Sequence, residues 1–364
     1  MRILQLVDSL RIGGAEVMAT SLATGLVARG HSCSVCGLGI DGELAALLSH
    51  HAIPAYAMKM PFGVSPRLML RIACRAIHFR ADVIVTHHFR QLFHGVWASF
   101  FPGKTLVHIE HDHHFYQGNL SALQRLAFLL KFVDAFVVVS TDIANWFIDR
   151  IPQISGKIKV IENGVDTDRF RPDKGRRTSM RRSFGIEPDV FVVGTCARLE
   201  PIKNLSLLID AFAKFHRDHP RSQLCIVGDG SQKPSLQEKA KDCKVEDSVR
   251  FLGLRQKVEE CLALFDVYAI SSHNEGLPIS VLEAMSSGLP IVATPVGALP
   301  RLLDNKAGIL ASSPLEVSAA FADYAASWSL VEKTGAEARR IVSDSYSADH
   351  MVASYEALMK CVLQ

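Results

Sequence analysis

The sequence lacks both a strong charge bias and a long apolar run. Its 364 residues carry 40 lysines and arginines against 37 aspartates and glutamates, so the formal net charge is only +3. This small net charge argues against a dedicated nucleic-acid binder, whose domain would carry a dominant positive field. The most apolar window, residues 126–139, is interrupted by Lys131 and Asp134 and is too short to span a bilayer.

We also expect neither a signal peptide nor a disulfide framework. The apolar run that begins at Met1 is broken by Asp8, which is typical of a first strand and not of a leader. Cys33 and Cys36 form a single CxxC, but residues three apart on a strand point to opposite faces. We therefore expect reduced, structural cysteines and a cytoplasmic protein, associated at most with the inner face of the membrane.

The order of elements predicts an α/β fold. Short runs rich in valine and isoleucine alternate with helical stretches, which is typical of parallel sheets with helices on both faces. The predicted strands are residues 3–7, 34–38, 82–86, 105–110, 135–140 and 159–162, and then 191–196, 223–227, 249–252, 267–271, 291–294 and 308–310.

The two series of strands predict two doubly wound domains, because a chain of this length exceeds one ordinary core. We place an N-terminal domain at residues 1–165, a second domain at 166–347, and a C-terminal helix at 348–364 that packs back toward the N-terminal domain. Open parallel sheets bind ligands at the carboxyl ends of their strands, so the expected active site is the cleft between the domains.

The most informative motif contains two glutamates. Glu275 and Glu283 stand eight residues apart, after a strand-like segment and around a glycine, Gly276. The pattern predicts a strand, a tight turn and a helix whose free N–H groups can bind phosphate. A diphosphate could dock between the carboxylates, as in a nucleotide-sugar site. Spacing alone equally allows a capped helix with a buried or salt-bridged glutamate.

With Gly276-Leu277-Pro278 between the two glutamates, the motif resembles that of the retaining nucleotide-sugar glycosyltransferases of family 4. These enzymes have the GT-B fold of two Rossmann-like domains. Four further segments resemble the family's motifs in the family's order: residues 9–16 (glycine loop), 163–170 (interdomain turn), 197–204 (Arg…Lys phosphate motif) and 227–230 (a strand end). The resemblance covers essentially the whole chain.

The resemblance implies a donor site in the second domain. Arg198 and Lys203 would contact the donor phosphates, where two cations can stabilise a departing diphosphate. Glu283 would hold the ribose hydroxyls, and Glu275 the transferred sugar near the reacting centre. Leu254 falls where the family receives the nucleobase, although ordinary packing explains it equally well. The other predicted donor-binding residues are Gly14, Gly276, Leu277, Pro278 and Ile279.

The acceptor side is assigned to the first domain. Gly13 and Gly14 lack Cβ atoms, so their backbone can approach a phosphate or an acceptor closely. The family places a histidine near the sugar after the strand predicted at residues 105–110. His111 is the candidate and His108 the reserve, while His88 is a further acceptor-side residue. The histidine run could suggest a metal site, but strand geometry separates these side chains and the resemblance implies no metal or other cofactor.

The predicted catalytic residues are therefore Glu275, His111, Arg198 and Lys203. The expected reaction moves a sugar from a nucleoside diphosphate sugar, with UDP favoured over GDP, to a hydroxyl of a glycan or lipid-linked saccharide. Synthesis of cell-surface polysaccharide or lipopolysaccharide is the expected context. A GT-B nucleotide-sugar epimerase and a catalytically silent GT-B scaffold are the alternatives.

One helical segment suggests contact with a membrane surface. Arg67, Arg71 and Arg75 recur every four residues and share a helix face opposite apolar residues. This face could dock on anionic lipid, or it could be the ordinary surface helix of a Rossmann-like domain.

Overall fold

The chain forms two compact units. The computed structural model describes residues 1–59, 63, 65–100, 104–304 and 306–364. One unit comprises Met1–Gly164 together with Ala348–Gln364, and the other comprises Val165–Ser347. We propose that these units are the domains predicted from the sequence, with the C-terminal helix as part of the first.

The first unit contains a parallel sheet of seven strands. They are β1 (Arg2–Val7), β2 (Ser32–Gly37), β3 (Ala55–Ala57), β4 (Val83–His87), β5 (Thr105–Glu110), β6 (Ala135–Val138) and β7 (Ile158–Val160), in the order β3-β2-β1-β4-β5-β6-β7. The helices between them are α1 (Gly14–Ala28), α2 (Leu44–His50), α3 (Pro66–His78), α4 (His88–Ser99), α5 (Leu120–Leu129) and α6 (Thr141–Arg150). All five residues of β4 are buried, as expected for a sheet covered on both faces.

The predicted strands of this unit are confirmed except at one edge. β3 was not predicted, because it is only three residues long and lies outermost in the sheet. Its Ala-Tyr-Ala sequence carries no run of β-branched residues, so nothing in the local pattern marks it.

The second unit repeats the architecture with six parallel strands. They are β8 (Phe191–Cys196), β9 (Ser222–Val227), β10 (Val249–Gly253), β11 (Val267–Ile270), β12 (Ile291–Ala293) and β13 (Gly308–Leu310), in the order β10-β9-β8-β11-β12-β13. Its helices are α7 (Lys174–Ser183), α8 (Leu205–Asp218), α9 (Lys233–Asp242), α10 (Val258–Leu262), α11 (Ile279–Ser286), α12 (Leu299–Leu303), α13 (Pro314–Ala326) and α14 (Trp328–Ser345). Phe212, Phe215 and Phe321 are buried where α8 and α13 pack on each other.

The last helix, α15 (Ala348–Val362), packs on α1 in the first unit. Gly25 of α1 permits this approach, because a Cβ atom there would lie 2.5 Å from Cγ2 of Val352. At the edge of the contact, Glu356 pairs with Arg29 at 3.1 Å and with His31 at 3.0 Å. Van der Waals packing and this small polar cluster together hold the chain terminus on the first unit.

The arginines of α3 have partners within the first unit. Arg71 donates to the carbonyl oxygen of Met58 at 2.9 Å, and the guanidinium of Arg75 lies 3.2 Å from the centre of the Tyr56 ring. Arg67 is exposed. The lipid-docking interpretation of this helix stays a prediction. Within the described parts of the chain, no helix is long and apolar enough to cross a membrane.

All eight cysteines are free thiols. Cys33 and Cys36 are buried on β2, and burial raises the pKa of each thiol to about 12. Because thiolate is the metal ligand and the nucleophile, such groups are inert, in agreement with the structural role predicted for them.

Candidate functional site

The topology of the second unit explains where the predicted donor residues lie. β8 and β11 are neighbours in the sheet although two other strands separate them in sequence. The chain leaves them toward opposite sides, so a crevice opens beyond their carboxyl ends. Arg198 and Lys203 follow β8, whereas Glu275 follows β11. The sheet order therefore brings the two motifs to one edge.

Lys203 and Glu275 form an ion pair. Lys203 Nζ lies 2.7 Å from Glu275 Oε1, with the lysine side chain 20% and the glutamate side chain 8% exposed. The hydroxyl of Ser272 donates to the same carboxylate oxygen at 2.5 Å. Sequence reasoning assigned no role to Ser272, although a serine three residues before the glutamate is placed to reach it. Oε1 of Glu275 therefore accepts from two donors, Lys203 and Ser272.

The backbone around Lys203 is fixed as well. Lys203 ends a 3₁₀ turn, Pro201–Lys203, and Asn204 adopts a left-handed conformation with φ 45°. The hydroxyl of Ser271 donates to the carbonyl oxygens of Lys203 and Asn204, both at 3.0 Å. A serine at the end of β11 thus ties the loop after β8 to the strand that carries Glu275.

Gly297 buttresses the loop that contains Glu275. It has a φ of +54°, and a Cβ atom there would lie 2.0 Å from the carbonyl oxygen of Glu275. The next residue, Ala298, donates its N–H to the carbonyl oxygen of Gly276 at 3.0 Å. Only a glycine permits this approach, so the carboxylate stands on a fixed backbone.

Helix α11 presents its positive end at the same place. Pro278 is the N-cap, and no side chain caps the helix. We predicted Pro278 at a plausible first helical position; the helix instead begins one residue later, at Ile279. Leu277 is only 3% exposed and anchors the turn in the core. Uncapped N–H groups and the helix dipole make this end suited to an anion.

Glu283 lies one turn further along α11 and is partly buried. Burial raises its pKa to about 8, while the nearby Arg169 acts in the opposite direction. The carboxyl group is thus largely protonated at neutral pH in the ligand-free protein. It can both donate and accept a hydrogen bond, as hydroxyl groups of a ribose would require.

Arg198 projects from a tightly held loop. The N–H of Leu199 donates to the carbonyl oxygen of Asp229 at 2.9 Å, and a Cβ atom on Gly228 would lie 1.9 Å from the carbonyl oxygen of Ala197. Arg198 is exposed and forms no ion pair among the described residues. Leu254, after β10, is 49% exposed. The contacts of Arg198 with the donor phosphates and of Leu254 with the nucleobase stay predictions.

The corresponding crevice of the first unit lies between β1 and β4. Gly13 is the N-cap of α1, and the carboxylate of Glu16 folds back onto it, with Oε2 2.4 Å from where a Cβ atom of Gly13 would stand. Burial raises the pKa of Glu16. No atom lies within 4 Å of a Cβ position on Gly14, so the backbone there is open.

His88 begins α4 with a left-handed φ of +66°, which is strained for a histidine. Its Nδ1 lies 2.8 Å from Oε1 of Glu110, and the hydroxyl of Tyr116 donates to Oε2 at 2.6 Å. Burial lowers the pKa of His88, but the hydrogen bond and charge of Glu110 outweigh burial and raise it to about 9. His88 is therefore a cation. Glu110, missed by sequence reasoning, is marked only by its charge at the end of an apolar strand.

His111 lies beside His88, with ring centres 5.0 Å apart. Burial and the positive charge of His88 lower its pKa well below the usual value, so the ring is neutral. His108, the reserve candidate, is fully buried and stacks on Phe136 with ring centres 5.6 Å apart. His108 is thus a core residue that cannot touch a ligand. Of the three histidines considered from the sequence, His111 and His88 lie next to each other.

No group of His, Cys, Asp and Glu side chains in the described ranges is arranged to hold a metal ion. The histidines near β4 and β5 instead have Glu110, His87 and Thr86 as partners.

Comparison with known proteins identifies the family. The model of the family described as Glycosyltransferase Family 4 matches residues 12–169, and that of Glycosyl transferases group 1 matches residues 176–346. Together the two models span nearly the whole chain. The chain belongs to glycosyltransferase family 4.

Curated relatives support this assignment. A D-inositol 3-phosphate glycosyltransferase of Geodermatophilus obscurus is 31% identical over 62% of this chain and 52% of its own length. The O-antigen biosynthesis glycosyltransferase WclY of Escherichia coli is 27% identical over 67% of this chain and 62% of its own length. Among the first relatives the match spans only 35% to 52% of the relative.

The fold is GT-B. The crystal structure of Alr3699/HepE of Anabaena in complex with UDP-glucose has a TM-score of 0.86 and 25% identity, with 98% of this chain and 100% of that chain covered. The predicted fold of two Rossmann-like units with parallel sheets is confirmed.

Proposed function

We propose that this family 4 protein is a retaining, metal-independent glycosyltransferase that takes its sugar from a nucleoside diphosphate sugar. The observation that carries the proposal is the Lys203–Glu275 ion pair at 2.7 Å, at the uncapped end of α11. The relative that was solved with UDP-glucose supports UDP as the nucleotide.

The ion pair leaves both partners with capacity for a ligand. An ammonium group has three N–H donors, of which Glu275 takes one. The remaining donors of Lys203 can contact a diphosphate, and Oε2 of Glu275 can accept from a sugar hydroxyl. The contact between them sets the distance between phosphate and sugar positions before the donor arrives, which reduces the ordering cost of binding.

Charge stabilisation is the main chemical contribution of the site. As the glycosidic bond breaks, negative charge builds on the departing diphosphate. Lys203, the exposed Arg198 and the N–H groups at the start of α11 oppose this charge. The acceptor hydroxyl attacks from the same face, and the departing phosphate takes its proton. Glu283 holds the ribose, and Leu254 lies against the base.

The acceptor is a hydroxyl group of a glycan or a lipid-linked saccharide. The relative WclY, described as an O-antigen biosynthesis enzyme, supports a role in cell-surface polysaccharide synthesis. Gly13, His88 and His111 form the acceptor-side residues in this proposal. The expected setting is cytoplasmic, at the inner face of the membrane.

A thermal-shift screen with UDP, GDP, ADP and their glucose conjugates tests the donor assignment, because a ligand that binds only the folded state raises its stability. The expected result is an upward shift in Tm with UDP and UDP-glucose that is lost in Lys203→Ala and kept in Lys233→Ala. Lys233 is the matched control, since it contributes only an exposed pair with Asp229. Equal shifts with all nucleotides, or none, would contradict the donor assignment.

Incubation of the bound donor with lipid-linked saccharides then tests the reaction. Nucleotide release together with an α-linked product from an α-linked donor is the expected result. Epimerised sugar without an acceptor would identify an epimerase instead, and binding without release would identify a silent scaffold.

A further inference from the structure

A buried chain of hydrogen bonds leads to His111 from the core of the first unit. Nε2 of Gln5, on β1, lies 3.1 Å from the carbonyl oxygen of Ala19. Gln5 Oε1 lies 3.0 Å from Nε2 of His87, the last residue of β4. His87 Nδ1 then lies 3.0 Å from His111 Nε2. Gln5 and His87 are fully buried.

The hydrogen bonds of this series can run in only one donor-to-acceptor direction. The carbonyl oxygen of Ala19 can only accept, so the amide nitrogen of Gln5 faces it and the amide oxygen faces His87. That oxygen also only accepts, and Nε2 of His87 must therefore carry the proton. A neutral His87 has a lone pair on Nδ1, to which Nε2 of His111 must donate. A neutral His111 is left with a lone pair on Nδ1.

Both rings are neutral for the same physical reason. Burial lowers the pKa of His87 to about 3 and lowers that of His111 well below its usual value. The cationic His88 adds repulsion to both. Glu110 attracts a proton toward the cluster, but its two oxygens are already bonded to His88 and to the Tyr116 hydroxyl. His108, the other histidine of the cluster, is fully buried, and its Nε2 lies 3.5 Å from Oε2 of Glu110.

We infer that Gln5 and His87 are positioning residues that hold His111 in the tautomer protonated on Nε2, so that its Nδ1 acts only as a hydrogen-bond acceptor. Beside it stands His88, which as a cation has only N–H donors, with the two ring centres 5.0 Å apart. The two neighbouring rings thus differ in chemistry: His111 keeps a ring nitrogen that only accepts, and His88 keeps an N–H that only donates.

This arrangement selects a class of ligand group. A hydroxyl can donate to His111 and accept from His88, so it satisfies both rings. A phosphate or carboxylate can satisfy only His88 and would face the lone pair of His111. The pair therefore recognises a sugar hydroxyl. That identification of the ligand rests on the proposed function, whereas the tautomer of His111 does not.

The tautomer can be read directly by long-range ¹H–¹⁵N NMR on protein labelled at histidine, without any substrate. Signals of His111 are assigned by their loss in His111→Asn. The expected wild-type spectrum shows His111 neutral and protonated on Nε2. In Gln5→Leu, His87 loses the acceptor that fixes its direction, so the reversed chain becomes populated and His111 shows a mixture of both tautomers.

Two variants complete the test. Gln5→Glu is isosteric and, as a buried protonated acid, still donates to Ala19 and accepts from His87, so the wild-type tautomer should be retained. Gln91→Leu removes a buried glutamine of α4 that bonds Asp8, and should leave His111 unchanged. An Nδ1-protonated His111 in the wild type would overturn the inference, as would an unchanged spectrum in a folded Gln5→Leu protein.

If Gln5→Leu fails to fold, the wild-type spectrum and Gln5→Glu still decide the question. Nucleotide release is measured on the same samples. The expected tautomer without any sugar transfer would refute the proposed function and leave the positioning role intact. Sugar transfer by a protein whose His111 is protonated on Nδ1 would support the proposed function and refute the positioning role.

Discussion

Replacing Lys203 by alanine should lower kcat strongly while the protein stays folded. The substitution removes the ammonium group that lies 2.7 Å from Glu275 and, in the proposed reaction, opposes the charge on the departing diphosphate. Loss of one preorganised charge-stabilising donor typically costs about 100-fold to 1,000-fold in kcat. Arg198 and the start of α11 remain, so the lower end, about 100-fold, is expected.

Stability should fall too, by a smaller amount than for a fully buried pair. Glu275, with its side chain 8% exposed, keeps its bond from Ser272 but loses its cation. Removing one partner of a fully buried pair costs about 3–5 kcal/mol. Because the lysine side chain is 20% exposed, water can replace part of the contact. We expect a loss of about 1–3 kcal/mol in the free energy of unfolding.

The double variant Lys203→Met/Glu275→Gln separates these two effects. With both charges removed, no carboxylate is left buried without a cation, so much of the lost stability should return while nucleotide release stays slow. Urea unfolding and a nucleotide-release assay with UDP-glucose measure the two quantities, with Lys233→Ala as control. Full activity in folded Lys203→Ala would refute the reasoning, as would recovery of activity in the double variant.

Two further predictions concern the same unit. The folded-state pKa of Glu283 is raised to about 8 from 4.5, so the folded protein binds an extra proton and stability should fall as pH rises between these values. Urea unfolding across this range should show that fall in the wild type and a flatter profile in Glu283→Gln; equal slopes would contradict the assignment. Gly297→Ala should destabilise by about 2 kcal/mol or more, because φ is +54° and the new Cβ would meet the Glu275 carbonyl. Gly156→Ala, with open space around it, should be nearly neutral, and a folded Gly297→Ala with wild-type Tm and UDP affinity would disprove the buttressing role.

Much of the fold could be predicted from local patterns. Buried strands such as β5 and β8 are short apolar runs, and their alternation with helices indicates parallel sheets. The edge strand β3 was missed because pairing with β2, and not its own composition, makes it a strand. The start of α11 was misplaced by one residue because a proline can serve either as the N-cap or as the first helical residue. The local sequence does not decide between these two positions for Pro278.

The candidate site was predictable as a set of residues but not as a set of contacts. The glutamates, Arg198 and Lys203 are recognisable by type and spacing. That Lys203 pairs with Glu275 depends on β8 lying next to β11. Likewise, His108 and His111 look equivalent in sequence, and only burial separates a core residue from a candidate ligand.

By itself, the sequence determined the family, the α/β class and the order of the loops that carry function, because these depend on periodicity and on motifs within a few residues. Only the tertiary structure decided which side chains meet and in which protonation state. Gln5 and His87 are 82 residues apart, and Lys203 and Glu275 are 72 apart. Sheet order sets such contacts, and the burial that sheet packing creates sets the charges: His88 a cation, His111 neutral, Glu283 largely protonated.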